Sequence, residues 1–362
     1  MSKLKVGIIG CGGIANSKHF PALASQSEKA EMVAFCDIIE ERAVKAAEKY
    51  GVVGAKTYTE YRELLNDKSI DVVHICTPNR SHSEITVAAL EAGKHVMCEK
   101  PMAINSVEAQ KMLDAAKRTG KKLTIGYQNR FRPDTSLLKK IIDDGKLGDI
   151  YYTQAHAIRR RAVPTWGVFM NEYEQGGGPL IDIGTHALDL ALYMMNNYEP
   201  ESVIGQTFKK LSAQDVDTGN VFGDWKKEEF TVEDSAFGFI KMKNGAVINL
   251  ESSWALNIEN SREASITLCG TLAGADLIEG NVRLNKVEFG KQCVEEVSVS
   301  GKGVPFYDPS NQPSDTVIEC SQWLDAIIED KQPVVLPEQA IVVTKILDAI
   351  YKSAKENTAI FF

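Results

Sequence analysis

The 362-residue sequence predicts an α/β protein of two domains: a parallel sheet covered on both faces, then a domain built on an antiparallel sheet with one polar face. Three observations predict this. Short, continuously apolar runs alternate with helix-like segments over the first 126 residues. A glycine-rich turn joins the first run to the first helix. After Tyr127 the runs lengthen and alternate apolar with polar residues.

Composition sets the bounds. With 44% hydrophobic and 25% charged residues the chain has ample material for a core. The net charge of -8, without a basic tail or a long single-sign block, argues against nucleic acid and membrane partners. Seven cysteines (11, 36, 76, 98, 269, 293 and 320) form no C-x-x-C pair and leave one over. That is the usage of free thiols in a reducing cytoplasm, not of a disulfide framework or a zinc site. Lys3 and Lys5 before VGIIGCGGIA faintly resemble a signal segment, but the apolar run is short and broken by glycine. No run reaches the length of a membrane span.

The strand-like runs are residues 4–9, 32–36, 72–76, 95–98 and 123–125, and the helix-like segments 14–25, 40–50, 60–65, 83–92 and 106–118. Cys11, Cys36, Cys76 and Cys98 lie at or just past strand ends and read as small buried hydrophobes. In the second half, residues 150–158, 202–211, 235–242, 246–254 and 264–268 alternate as half-buried strands, with Asn244-Gly245 as a two-residue hairpin turn. Helices over 315–329 and 337–354 close the chain.

Gly10-Cys11-Gly12-Gly13-Ile14-Ala15 follows the first strand and fits G-x-G-x-x-A. Such glycines permit a tight turn and let the backbone approach a pyrophosphate seated on the helix N-terminus. The second strand ends in Asp37, whose carboxylate can accept hydrogen bonds from adenine ribose hydroxyls and repel a 2′-phosphate; Ile38 and Ile39 bring no compensating positive charge. The expected cofactor is therefore NAD, with NADP disfavoured. The competing reading of Asp37 is a helix cap. Thr77, Pro78 and Asn79 close the fourth strand on the cofactor's edge, with His82 just beyond as ligand or helix-start residue.

The fifth strand ends in Glu99-Lys100-Pro101. Ligands of such sheets bind outside the strand carboxyl ends, so Lys100 belongs near the nicotinamide, where an ammonium stabilises negative charge on a substrate oxygen. Glu99 can hold that ammonium. The run from Gly176 to Asp189 (GGGPLIDIGTHALD) puts proline in a helix's first turn and Asp182 and His186 four residues apart on one face, with Asp189 three further on. Leu180, Ile183, Ala187 and Ala191 form the apolar counterface. An imidazole beside a carboxylate suits a general base.

With GCGGIA at 10–15, CTPNRSH at 76–82, EKP at 99–101 and D-x-G-x-H-x-x-D at 182–189, the sequence resembles the glucose–fructose oxidoreductase / inositol dehydrogenase (Gfo/Idh/MocA) family over essentially its whole length. The resemblance implies a Rossmann domain at 1–126 and, at 127–362, a substrate-binding and oligomerisation domain on an open, mostly antiparallel sheet, with the helix at 337–354 packing back on the first domain. It implies a catalytic group of Lys100, Asp182 and His186, a cis Lys100–Pro101 bond, and reversible oxidation of a secondary alcohol on a sugar, polyol or inositol without a metal. It adds Asn129 and Trp166 to the cofactor contacts and Arg130 and Arg159 to the substrate contacts, alongside Lys100, Asp182 and His186. For Arg159-Arg160-Arg161 a solvated charge run is the alternative. Tyr151 and Tyr152 suit either the cleft or the sheet. Homodimers or homotetramers are implied. Two other functions stay open on the same fold: a dinucleotide-bound sensor without catalysis, and a glycosidase that reduces NAD transiently.

Overall fold

The computed structural model describes residues 3–214, 218–278, 280–298 and 313–362. The chain divides into two compact units, Met1–Gln128 with Pro313–Ile341, and Asn129–Gln312 with Val342–Phe362.

The first unit carries six parallel strands, β1 (Leu4–Ile9), β2 (Ala30–Cys36), β3 (Lys56–Tyr58), β4 (Val72–Ile75), β5 (His95–Cys98) and β6 (Leu123–Ile125), in the order β3-β2-β1-β4-β5-β6. The order reverses between β1 and β4, which opens a crevice at their carboxyl ends. The strands are buried on both faces, so they read as unbroken apolar runs. Strand β3 has no such run, because it is a three-residue edge with two exposed side chains. Phe20, Leu23, Val6, Ile8 and Phe35 pack with Cys320, Trp323 and Leu324 of the helix Asp315–Ile328 into one core. That late helix is also tied on by Lys29, whose Nζ donates to Ser321 Oγ (2.8 Å) and Asp325 Oδ2 (2.7 Å).

The second unit is built on a nine-stranded sheet: β7 (Ile150–Ile158), β8 (Pro200–Phe208), β9 (Ser235–Met242), β10 (Val247–Ser253), β11 (Arg262–Gly270), β12 (Gly274–Ile278), β13 (Asn281–Glu288), β14 (Lys291–Val297) and β15 (Ile360–Phe361). The order is β14-β13-β12-β11-β7-β10-β9-β8-β15, with β7 and β10 parallel and the other pairs antiparallel. The alternating runs mark β7 to β11. Strands β13 and β14 escape sequence detection because most of their side chains are wet on both faces. The β9–β10 connection also differs from the expected two-residue turn. Gly245 has φ +87° while Asn244 keeps negative φ, and Met242 pairs with Ala246, which makes a three-residue loop closed by glycine.

Two packing features brace this unit. Gly205 and Gly238 face each other across β8 and β9, and Ile350 of the helix Pro337–Glu356 fills the hollow; a β-carbon on Gly238 would lie 2.6 Å from its Cδ1. Arg130 is buried against Asp189 of the helix Thr185–Met195, with Nε 2.9 Å from Oδ2 and Nη2 2.6 Å from Oδ1, and its guanidinium lies over Tyr193. Among the described residues no helix is long and apolar enough to cross a membrane.

Removing one partner of a buried ion pair strands the other charge away from water. Asp189→Asn is expected to lower unfolding free energy by about 3–5 kcal/mol, read by urea denaturation. A loss below about 1 kcal/mol would show the pair to be dispensable.

Candidate active site

Strand β1 delivers the glycine turn. Gly10 has φ +91°, and a β-carbon there would lie 2.7 Å from the carbonyl of Cys76, so only glycine fits. At Gly12 and Gly13 a β-carbon would meet nothing within 4 Å. The protein's own packing does not require those glycines; the open space they leave at the helix start is what a pyrophosphate needs. Asn16 pins the turn by donating from Nδ2 to Cys11 O (2.9 Å) and Gly12 O (2.8 Å). Ile14 is half exposed and Ala15 buried.

Asp37 uses both carboxylate oxygens within the fold. Its Oδ1 accepts from Ile39 N at 2.9 Å at the start of the next helix, and its Oδ2 accepts from Cys11 N at 2.8 Å in the glycine turn. Each carboxylate oxygen has a further lone pair for a ribose hydroxyl. Beside it Ile38 is 90% exposed, a large apolar side chain left in solvent where a purine would lie. At the end of β4 the Thr77 hydroxyl is buried with no partner among the described residues. A buried orphan hydroxyl is costly, and a ligand on that edge would relieve it. The arrangement thus fits a dinucleotide.

His82 is fully buried, with its ring nitrogens 3.0 Å from Thr77 O and 2.8 Å from Pro101 O; both are acceptors, so a neutral ring donates to one of them at a time. Burial lowers its pKa, against the pull of those carbonyls. Any influence on a cofactor therefore runs through the two backbone segments it joins. Pro78 is exposed and Asn79 half-buried.

The Lys100–Pro101 peptide is cis. The Glu99 carboxylate turns inward: Oε1 accepts from Lys18 Nζ (2.7 Å) and His19 Nε2 (2.8 Å), and Oε2 accepts from the backbone N–H of Lys100 (3.1 Å). Glu99 thus meets Lys100 through its backbone N–H, and Lys18, His19, His74 and Glu319 gather around this carboxylate without any signal in the sequence. Lys18 and His19 lie within a helical segment next to the glycine turn, where a polar residue carries no spacing signal of its own.

In the second unit Leu180–Gly184 is a π-turn continued by the α-helix Thr185–Met195. The stretch is more buried than its amphipathic pattern suggests. Between positions 177 and 192 only Asp182 and His186 are not buried. Asp182 Oδ2 accepts from Trp254 Nε1 at 3.0 Å, a contact with no sequence signal. The glycines before the helix have packing reasons: a β-carbon at Gly177 would lie 2.0 Å from Tyr351 Oη, and at Gly178 2.3 Å from Glu233 O. The buried Glu233 carboxylate accepts from Gly178 N (2.9 Å), Leu180 N (3.1 Å) and Tyr351 Oη (2.8 Å), capping the helix start.

The remaining candidates divide. Arg130 is committed to Asp189, and Asn129 lies in the same short turn, Gln128–Phe131. Arg159 holds Glu263 with Nε 2.7 Å from Oε2 and a second bond from Nη2, and donates to Ala162 O. Against the cost of burial, Glu263 and then Asp182 raise its pKa. Arg161 bonds the carbonyls of Thr218 and Leu256, while Arg160 is exposed. Trp166 is half exposed, edge-on to Phe222 with ring centroids 4.8 Å apart.

A six-stranded sheet of this order, a glycine turn with open space beside it and an acid closing β2 define a dinucleotide-binding protein. Comparison with known proteins narrows the class. The oxidoreductase family with an NAD-binding Rossmann fold matches residues 4–127, and the C-terminal α/β domain of that family matches residues 139–361. The chain belongs to this family, Gfo/Idh/MocA, and is an NAD-binding oxidoreductase. It is 37% identical over 360 residues to the D-glucoside 3-dehydrogenase of Escherichia coli strain K12, covering 99% of this chain and 97% of that protein. It is 31% identical over 269 residues to the levoglucosan dehydrogenase of Pseudarthrobacter phenanthrenivorans, covering 70% and 68%. The fold is shared with an oxidoreductase domain protein from Kribbella flavida at a TM-score of 0.86 and 23% identity, covering 100% and 99% of the two chains.

Burial, opposed by Lys18 and reinforced by Glu99, pushes the Glu319 carboxyl up to about 7 from an ordinary 4.5. A raised folded-state pKa contributes stability that is fully present below the ordinary value and is lost as pH rises through the folded one. The wild type should therefore lose on the order of 3 kcal/mol relative to Glu319→Gln as pH rises through this window. Parallel melting curves of the two proteins at pH 5 and 8 would refute this if their separation stayed constant.

Proposed function

We propose that the protein oxidises, reversibly, a secondary hydroxyl of a sugar or sugar-like polyol, with the 3-hydroxyl of D-glucosides as the first candidate. The observation that carries the chemistry is that Asp182 and His186, four residues apart, are the two partly exposed side chains of an otherwise buried helical stretch. The end-to-end similarity to a D-glucoside 3-dehydrogenase supports the substrate class. NAD, when bound, supplies the hydride acceptor. Gly10, Gly12, Gly13, Asp37 and Thr77 would hold it, and Lys100 lies at the carboxyl end of β5, where nicotinamides of such sheets are placed.

In this reading His186 takes the hydroxyl proton as general base. Asp182, itself fixed by Trp254, orients and tunes that imidazole. The Lys100 ammonium hydrogen-bonds the same oxygen and stabilises its negative charge as the C–H bond breaks. Trp166 and Phe222 offer an apolar face to a sugar ring or to the cofactor.

Following NADH absorbance with glucosides, inositols, anhydrosugars and aldoses tests the assignment; free sugar released from glycosides without net NADH would favour a glycosidase, and NAD binding without any turnover a sensor. Lys100→Met should cut kcat by about a thousandfold or more while leaving NAD affinity nearly intact; an undiminished rate would remove Lys100 from the chemistry. Asp37→Ala should weaken NAD binding by about tenfold and narrow the preference over NADP. Isothermal titration with both dinucleotides checks this, and an unchanged preference would remove Asp37 as the discriminator.

A further inference from the structure

Five ionisable side chains of the first unit meet in one buried cluster: Lys18 and His19 of the first helix, His74 of β4, Glu99 at the end of β5 and Glu319 of the helix Asp315–Ile328. None is more than 5% exposed. Burial works against ionisation of Glu99, but Lys18 and His19 outweigh it and hold the carboxyl well below the usual carboxylate range. An ionised carboxylate only accepts hydrogen bonds, and this sets every proton in the chain. His19 must donate from Nε2 to Glu99 Oε1 (2.8 Å), which leaves its Nδ1 bare to accept from His74 Nδ1 (2.9 Å). The bare nitrogen then left on His74, Nε2, is buried without a partner among the described residues, as this tautomer requires. Lys18 Nζ donates to the same Glu99 oxygen and lies 3.0 Å from Glu319 Oε2. Gly126 leaves no slack: a β-carbon there would lie 3.0 Å from Glu99 Oε1 and 3.1 Å from Lys18 Nζ. With Oε1 clamped in this way, Oε2 holds the backbone N–H of Lys100.

We infer that Lys18 and His19 are positioning residues of the oxidation: they fix the Glu99 carboxylate, and Glu99 fixes the backbone from which the Lys100 side chain projects. The inference rests on the reading of Lys100 as the group that polarises the substrate oxygen. A cluster serving stability alone could be replaced by apolar side chains of similar volume.

Two readouts test it on the full-length protein. The first is hydrogen–deuterium exchange at the Lys100 amide, which needs no substrate. The second is the split between kcat, KM and NADH affinity. Lys18→Met should speed Lys100 exchange by about tenfold while β1 and β4 keep their protection. It should lower kcat by about 10- to 100-fold, with KM and NADH affinity within about threefold. Lys18→Arg, which returns a cation to Glu99, should restore much of both. Gly126→Ala presses a methyl group on the Glu99 carboxylate without altering any charge, and serves if Lys18→Met does not fold. Unchanged protection of Lys100 in a folded variant overturns the inference, as does a loss of kcat matched by equal losses in KM and NADH affinity. Faster exchange in a protein whose wild type oxidises no sugar supports the clamp and overturns the proposed reaction instead.

Discussion

A carboxylate withdrawn from water at the end of β5 sets the terms for the first unit. Ionised Glu99 cannot be buried without compensation, and the fold supplies it from the first helix, through the Lys18 ammonium and the His19 N–H, with His74 of β4 behind His19. That demand explains otherwise puzzling residues: a lysine and a histidine inside an apolar helix, a histidine within a core strand, a glycine where β6 ends. The returning helix covers this cluster: Glu319 lies 3.0 Å from Lys18 Nζ, and Trp323 and Leu324 close the core beside it.

The second unit meets a related demand. Glu233 sits buried under the helix that carries Asp182 and His186, and satisfies the open N–H groups at that helix's start. The approach is so close that Gly177 and Gly178 can carry no side chain. The glycine run therefore exists to seat the helix on Glu233 and Tyr351, and the accessible acid and imidazole follow from how that seat is cut. Trp254 then fixes the acid from the neighbouring strand end. Both units spend buried carboxylates on backbone N–H groups near residues read as chemical, which is the support a precise site needs.

Much of this was legible along the chain. The unbroken runs of β1, β2, β4, β5 and β6 announce strands buried on both faces, and the glycine turn with Asp37 announces the dinucleotide. Strand β3 was not legible, because three residues on a wet edge have no period, and β13 and β14 were not because polarity on both faces erases alternation. The hairpin at Asn244-Gly245 shows a finer limit: the dipeptide marks the turn, but the loop length depends on which residues pair across it. Asp189 looked like a third member of the chemical motif, and Arg130 like a substrate contact; in the fold they neutralise each other out of reach of water.

By itself, then, the sequence determined the alternation of elements, the dinucleotide turn and the residue types available for hydride chemistry, since these depend on local spacing and on period. Tertiary structure alone decided which charges are spent internally. Glu99, Asp189 and Arg159 read in sequence as members of the site and Glu233 carries no signal at all, yet each is paired by a residue from a remote segment. Electrostatic pairing depends on distance in space and on the exclusion of water, and neither quantity is written along the chain.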